Sequence, residues 1–358
     1  MPIYNFSAGP AILPAPVMER AQREFRDFQD SGMSVMEISH RSQLFDQVIK
    51  SAEARLRRLM NIGEDYAVLF VQGGAWTQFS AVPLNLLTGS GKADYVDTGS
   101  WASKALKEAQ RYGQAREVAS SRADGYVSIP AVQREDFDPE ADYVHITTNN
   151  TIHGTTYPSL PDTGAVPLVA DMSSNILSVP YRVEGFGVIY AGAQKNIGPA
   201  GLTIVIVRHD LLGRAMPHCP KMLDYATHAA KKSLFNTPPT FAVYLAELVF
   251  EWLEDQGGVE AMAIHNQVKA ALVYDFLDQS QLFRPLVAAP YRSLMNVVFD
   301  VDSEEVRTRF LQESEAEGFY FLKGHRSVGG MRASLYNAMP RAGVEALVAF
   351  MAQFEQKS

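Results

Sequence analysis

Two spacings of apolar residues alternate along this chain. In 14–30, Val17, Ala21, Phe25 and Phe28 recur every three or four residues, and in 42–60 Leu44, Val48, Ala52, Leu56 and Leu59 do the same. Such spacing gathers the apolar side chains on one face, so both stretches predict amphipathic surface helices. Short apolar runs come next, at 67–71, 94–97, 143–147, 166–170, 188–191 and 202–207. Several are apolar at successive positions, the pattern of strands with both faces covered by helices. Together they predict an α/β layer with a mostly parallel sheet. From about residue 259 the texture changes to a helix over 259–278, a strand over 295–301, a helix over 303–317, two short strands at 319–323 and 331–335, and a last helix over 341–354. Neighbouring strands without a helix between them predict a smaller α+β unit with antiparallel pairs. The boundary falls near Gly257-Gly258, giving a large domain over 1–258 and a small C-terminal domain over 259–358.

Composition narrows the class of function. A length of 358 residues suits two domains, and 47% hydrophobic with 20% charged residues is ordinary globular usage. Against 40 acidic residues stand 32 Lys and Arg, a net charge of −8, which favours neither nucleic acid nor a membrane surface as the partner. Any bound anion must be held by locally placed cations. The lone Cys219 excludes an internal disulfide and multi-cysteine metal sites, which fits a reducing cytoplasm. The N-terminus MPIYNFSAGP has neither a basic nor an apolar leader segment, so export is not expected, and no repeat or low-complexity tract is present.

In open α/β sheets, ligands bind beyond the carboxyl ends of the strands. After 67–71 come Gln72, Gly73, Gly74 and Ala75, and then a helical stretch beginning with Trp76. Paired glycines before a helix let backbone amides approach an anion, although a Gly-Gly pair is often only a turn. Neither the dinucleotide fingerprint nor the P-loop spacing is present. Trp101 follows the strand at 94–97, where an indole serves equally as core or as a stacking plane for a flat ligand. Thr151 lies in the polar run 148–151. Asp171 stands at the tip of 166–170 and reads either as a helix N-cap or as a site carboxylate. Lys195, set among small residues between two apolar strands, should be partly desolvated, which lowers its pKa and makes it a nucleophile or Schiff-base former. A snorkelling structural lysine is the alternative. One cofactor accounts for all of these at once. Pyridoxal phosphate needs a lysine for its aldehyde, an acid at its ring nitrogen, a flat partner and backbone donors for its phosphate. Lys195, Asp171, Trp101 and the Gly73-Gly74-Ala75 turn supply them.

Longer stretches carry a resemblance. NFSAGPAILP at 5–14, SVMEISHRS at 34–42, ADYVDTGSWA at 93–102, YAGAQKNIGPAGLTIVIVR at 190–208, FNTPPTFAVYL at 235–245 and KGHRSVGGMRASLYNAMP at 323–340 are similar to the phosphoserine aminotransferases. These form a branch of the class-V pyridoxal-phosphate enzymes of fold type I, and the likeness runs nearly end to end. It implies a seven-stranded-type sheet, with residues 1–15 contacting the small domain. It implies that Lys195 carries the pyridoxal 5'-phosphate, that Asp171 pairs with its ring nitrogen, that Trp101 stacks on the ring and that Thr151 contacts it near the phenolic oxygen. The cofactor phosphate would be held by the amides of Ala75 and Trp76, by Gln194, and by Asn236 and Thr237 from a second subunit, which implies a homodimer with shared sites. Arg332 would hold the substrate α-carboxylate, and His40, Arg41, His325 and Arg326 would form an anion site. No metal is implied. Position 76 departs from some bacterial relatives, which have arginine there; Trp76 loses that charge.

The implied reaction is ping-pong transamination in serine biosynthesis. Glutamate gives its amino group to the enzyme and leaves as 2-oxoglutarate, and 3-phosphohydroxypyruvate then takes it to become O-phosphoserine. A second use in making 4-phosphohydroxythreonine for pyridoxine is also expected. The His40-Arg41 and His325-Arg326 pairs read equally as solvated loop charges, yet guanidinium and imidazole donors suit a phosphate dianion. Rival readings are another class-V enzyme, such as an alanine–glyoxylate type aminotransferase or a cysteine desulfurase, and a cofactor-binding protein without turnover.

Overall fold

The computed structural model describes residues 2–358. Strand β1 (Tyr4–Asn5) precedes helices α1 (Ala15–Glu24) and α2 (Gln43–Met60). Strands and helices then alternate through β2 (Tyr66–Val71), α3 (Gly74–Leu86), β3 (Lys92–Asp97), α4 (Ser100–Ala109), β4 (Gln114–Ser120) and β5 (Tyr143–Thr147). A short hairpin, β6 (Asn149–Asn150) and β7 (Thr155–Thr156), leads to β8 (Leu168–Asp171), β9 (Val188–Gly192) and β10 (Thr203–Arg208). Helices α5 (Tyr225–Ala230), α6 (Thr240–Asp255) and α7 (Gly258–Gln279) follow. The C-terminal part holds β11 (Arg284–Pro285), β12 (Asn296–Asp300), α8 (Glu304–Ala316), β13 (Phe319–Tyr320), β14 (Met331–Ser334) and α9 (Arg341–Gln356).

Seven strands form one sheet in the order β2-β10-β9-β8-β5-β3-β4. Every neighbouring pair is parallel except those of β10, which runs against both β9 and β2. The carboxyl ends of β2, β3, β5, β8 and β9 therefore share one edge, and β10 starts there. The apolar runs alternate faces: Ile204 and Ile206 of β10 join the cluster under α2 and α6, while Val205 and Val207 join the one under α3 and α4. This two-sided burial is what made these strands visible as unbroken hydrophobic segments. Helix α2 is capped by Ser42 Oγ, which accepts from the Phe45 amide at 3.3 Å, and ends on Asn61 in the left-handed region. Its Arg55 ties it to α6 through Glu247, Glu251 and Glu254.

Three features differ from the pattern reading. The first helix stops at Glu24 rather than near 30, because Gln29 and Asp30 adopt positive φ in a tight turn that buries Phe28. Strand β4 escaped notice because it pairs only with β3 at the sheet's edge and reads as QAREVAS, with Ala115 alone buried. Helix α6 escaped because it buries nearly every side of its first three turns, Ala242 through Phe250, and so shows no polar stripe.

In the C-terminal part, β11, β12 and β14 form a three-stranded antiparallel sheet. Its core joins Phe283, Phe299, Phe310 and Phe354 with Phe6 from the N-terminal segment, and β1 pairs with β13. Lys269 of α7 is buried and donates to the carbonyls of Leu335 (2.9 Å), Tyr336 (2.7 Å) and Met339 (3.1 Å), just beyond β14. Among the described residues no helix is long and apolar enough to cross a membrane.

Candidate active site

The carboxyl edge of the large sheet gathers the chemistry. Asp171 is the last residue of β8, in register with Thr147 and Tyr190, and only 5% exposed. No helix follows it, so the N-cap reading is not realised; instead its Oδ1 accepts from the Ser173 amide at 2.9 Å, capping a turn. Ser173 Oγ in turn accepts from the Gly192 amide at 3.1 Å, which fixes the ends of β8 and β9 to each other. Burial raises the Asp171 carboxyl above the usual range, and Lys195 and Ser173 draw it partly back.

Lys195 sits in the turn between β9 and β10, half-buried, and its Nζ donates to Thr151 Oγ1 at 2.7 Å. Burial lowers its pKa to about 8; the Asp171 charge opposes that effect, while Arg332 adds to it. The backbone packs closely around this lysine. A Cβ at Gly9 would lie 3.3 Å from its Cγ, and Ala11 donates to the carbonyl of Gln194 at 2.9 Å. The Gln194 side chain covers Gly192, where a Cβ would come within 2.6 Å of Oε1.

Trp101, in the first turn of α4, presents its ring 5.7 Å from Lys195 Nζ, and its buried Nε1 has no partner. The start of α3 lies near it, with the ring of Trp76 edge-on to Trp101 at 6.0 Å. Gly73 precedes this helix at φ 100°, and any Cβ there would collide with Thr77. Helix α3 has no side-chain cap, so the first-turn amides of Ala75 and Trp76 lack intrahelical acceptors and are free to serve an anion. Lysine amine, buried acid, aromatic plane and uncapped helix start thus converge, and this set fits pyridoxal phosphate.

Cations border the lysine. Arg332 of β14 donates from Nη1 to the Thr151 carbonyl at 3.0 Å, while its buried Nε has no partner. His325 is half-buried, with Nδ1 2.7 Å from Ser327 Oγ. Its pKa is lowered, first by burial and then by Arg332, Lys104 and Arg326. The fold therefore brings Lys195, Asp171, Trp101, Thr151, Arg332, His325 and Arg326 into one neighbourhood of a single chain. It does not bring His40 and Arg41 there. They stand on the turn before α2, half-buried and exposed, without side-chain hydrogen bonds to the others. Asn236 and Thr237 lie beside the Gly73 turn: Gln72 donates to the Thr237 carbonyl at 3.2 Å, and Asn236 lines a cavity of about 460 Å³ with Gly73 and Thr77. Volume alone does not choose the site, because a cavity of about 500 Å³ lined by Arg58, Tyr181 and Glu260 gathers no such set. Among the described residues no cluster of three His, Cys, Asp or Glu could hold a metal ion.

Two residues of this neighbourhood were not singled out from sequence. Lys104 of α4 places Nζ 4.2 Å from the Trp101 ring and 5.4 Å from Trp76. His153, in the β6–β7 turn, has Nε2 3.1 Å from Ser100 Oγ and its ring 4.7 Å from that of Tyr126 at a tilt of 52°, and burial pulls its pKa down to about 4. The signal for Lys104 was its three-residue spacing from Trp101, which puts both on one helix face; His153 carried none.

Known proteins bear on the same residues. The family model described as Aminotransferase class-V matches residues 3–347. A phosphoserine aminotransferase of Bacillus cereus is 55% identical over 353 residues, covering 99% of this chain and 98% of that protein. One from Listeria monocytogenes is 56% identical over 354 residues, covering 98% of this chain and 96% of its own length. The solved phosphoserine aminotransferase of Bacillus circulans subsp. alkalophilus superposes with a TM-score of 0.97 at 50% identity, with 99% of each chain covered. A pyridoxal-phosphate-bound phosphoserine aminotransferase from Trichomonas vaginalis gives 0.93 at 39% identity, covering 98% of this chain and 100% of that one. With its lysine, acid and aromatic plane on the sheet edge and a family match across nearly its whole length, this chain belongs to the class-V aminotransferases.

Proposed function

We propose that this class-V aminotransferase is a phosphoserine aminotransferase: it moves the amino group of glutamate to 3-phosphohydroxypyruvate, giving 2-oxoglutarate and O-phosphoserine at one site in two half-reactions. The observation that carries the reading is Lys195, a lysine of lowered pKa beside a buried carboxyl, bordered by Arg332, His325 and Arg326 in a chain of net charge −8. The relatives' names supply the substrate.

Pyridoxal phosphate, when bound, supplies an aldehyde that captures amines and a ring that accepts electrons from the α-carbon. The chain's residues do the rest. Asp171, ionised, holds a proton on the ring nitrogen. Lys195, with a pKa of about 8, is poised to take a proton from the substrate α-carbon and to give one back. Thr151 orients that amine and, through its carbonyl, Arg332. Arg332 binds the α-carboxylate in a bidentate fork, for which its unpartnered Nε is available. Trp101 would shield the cofactor ring from water, and the amides of Ala75 and Trp76 with Gln194 would hold its phosphate.

The working unit we infer is a homodimer with shared sites, in which His40, Arg41, Asn236 and Thr237 cross to the neighbour. Supporting it, the exposed apolar residues Met33, Met36, Trp76, Met222 and Phe235 lie on the same segments as those residues or beside them. We also infer a division into a large unit over 1–258 and a small one over 259–358, a cytoplasmic location, and a second product, 4-phosphohydroxythreonine. A desulfurase is disfavoured because burial raises the Cys219 thiol and nothing activates it. The test is a half-reaction on purified protein: phosphoserine, phosphohydroxythreonine, alanine and cysteine are added separately while the visible band of the bound cofactor is followed. Phosphoserine should abolish the band fastest. Conversion by alanine or cysteine alone would refute the assignment.

A further inference from the structure

We propose that Lys104 belongs to the substrate's anion site and selects for a phosphate dianion over a carboxylate; this rests on the transamination reading above. Four observations converge. Lys104 Nζ is held over two indoles, 4.2 Å from Trp101 and 5.4 Å from Trp76. A cation parked on aromatic faces is fixed in position without being neutralised. Among the described residues it has neither a carboxylate within salt-bridge distance nor a hydrogen-bond acceptor, unlike Lys50 or Lys92, whose amines are paired with Asp46 and with Asp138 and Glu140. All three of its N–H donors remain available. Its charge, with those of Arg332 and Arg326, helps to lower the pKa of His325. Finally, the nearer of the two planes, Trp101, also borders Lys195, whose Nζ lies 5.7 Å from the same ring. Lys104 thus brings an unpaired charge of α4 to the same indole that borders Lys195.

A fixed, uncompensated ammonium interacts about twice as strongly with a dianion as with a monoanion at equal distance. The preference should therefore appear in binding without turnover. Holoenzyme is titrated by calorimetry with two inert probes, 3-phosphoglycerate and glutarate, neither of which carries an amino or keto group. In Lys104→Met, whose side chain keeps the packing on both indoles, 3-phosphoglycerate should bind roughly 10- to 100-fold more weakly, while glutarate, with half the interaction, should lose only about the square root of that, roughly 3- to 10-fold. Lys104→Arg should recover most of the loss. An unchanged visible cofactor band in each variant verifies the fold. Equal weakening of both probes, or no weakening of 3-phosphoglycerate, overturns the role of Lys104. Wild-type holoenzyme that binds glutarate and ignores 3-phosphoglycerate overturns the phosphoserine assignment itself.

Discussion

Replacing Lys195 should stabilise the cofactor-free protein near neutral pH, and the effect should reverse in alkali. Lys195→Met keeps the length of the stem and removes the charge. Burial pulls the amine from its ordinary 10.5 to about 8, so the folded state disfavours the protonated form. Below about pH 8 both folded and unfolded chains carry the proton, and the folded chain bears the whole cost. Between about 8 and 10.5 the folded chain releases its proton while the unfolded chain keeps it, so wild-type stability climbs with pH. Above 10.5 the cost is gone. The drop corresponds to about 3 kcal/mol, which we reduce to about 2 because the side chain is only half-buried. Against this stands the lost hydrogen bond to Thr151 at 2.7 Å, worth about 1 kcal/mol. Lys195→Met should therefore be more stable than wild type by about 1 kcal/mol near pH 7 and less stable by about 1 kcal/mol above pH 10.5, with a crossing near pH 9. Urea unfolding of cofactor-stripped protein, followed by circular dichroism at fixed protein concentration, reads both values. A variant that is less stable at neutral pH, or a difference that ignores pH, would refute the desolvation argument.

Further substitutions probe other parts of the site. Asp171→Asn preserves shape and cannot hold a proton on the ring nitrogen as an anion does. Its turnover should fall roughly 100- to 10,000-fold while stoichiometric cofactor binding, measured by absorbance after gel filtration, persists. Gly73→Ala forces a left-handed residue against Thr77. It should cost about 1–3 kcal/mol in thermal unfolding and weaken cofactor retention, whereas Gly125→Ala, also at positive φ but with open space around it, should leave retention intact. Lys269→Met takes the donor from four carbonyls, of which that of Tyr336 keeps the Met339 amide; because the cost of the buried ammonium is relieved at the same time, stability in denaturant melts should fall by only about 1–3 kcal/mol.

What was legible in the sequence follows from where burial is one-sided or complete. β5 and β9 announced themselves because neither face meets water, and Asp171 and Lys195 stood out because polar groups at the tips of such strands are costly without a purpose. β4 and α6 fell outside the pattern for opposite reasons, one too polar at an edge and the other too apolar all round. Lys104 was hidden because a lysine on an amphipathic helix reads as a solvated charge, and only the two tryptophans beneath it change that meaning. His153 gained its place through the β6–β7 turn, which packs it against Ser100 and Tyr126 from separate parts of the chain.

The N-terminal segment couples the two halves mechanically. Phe6 is anchored in the C-terminal core, Tyr336 is latched to the Ala8 carbonyl, and within a few residues Gly9 and Ala11 press on Lys195 and Gln194. So short a tether has little slack. Any displacement of the C-terminal sheet would be handed along this strap, through Phe6 and the Tyr336 latch, to the packing around Lys195.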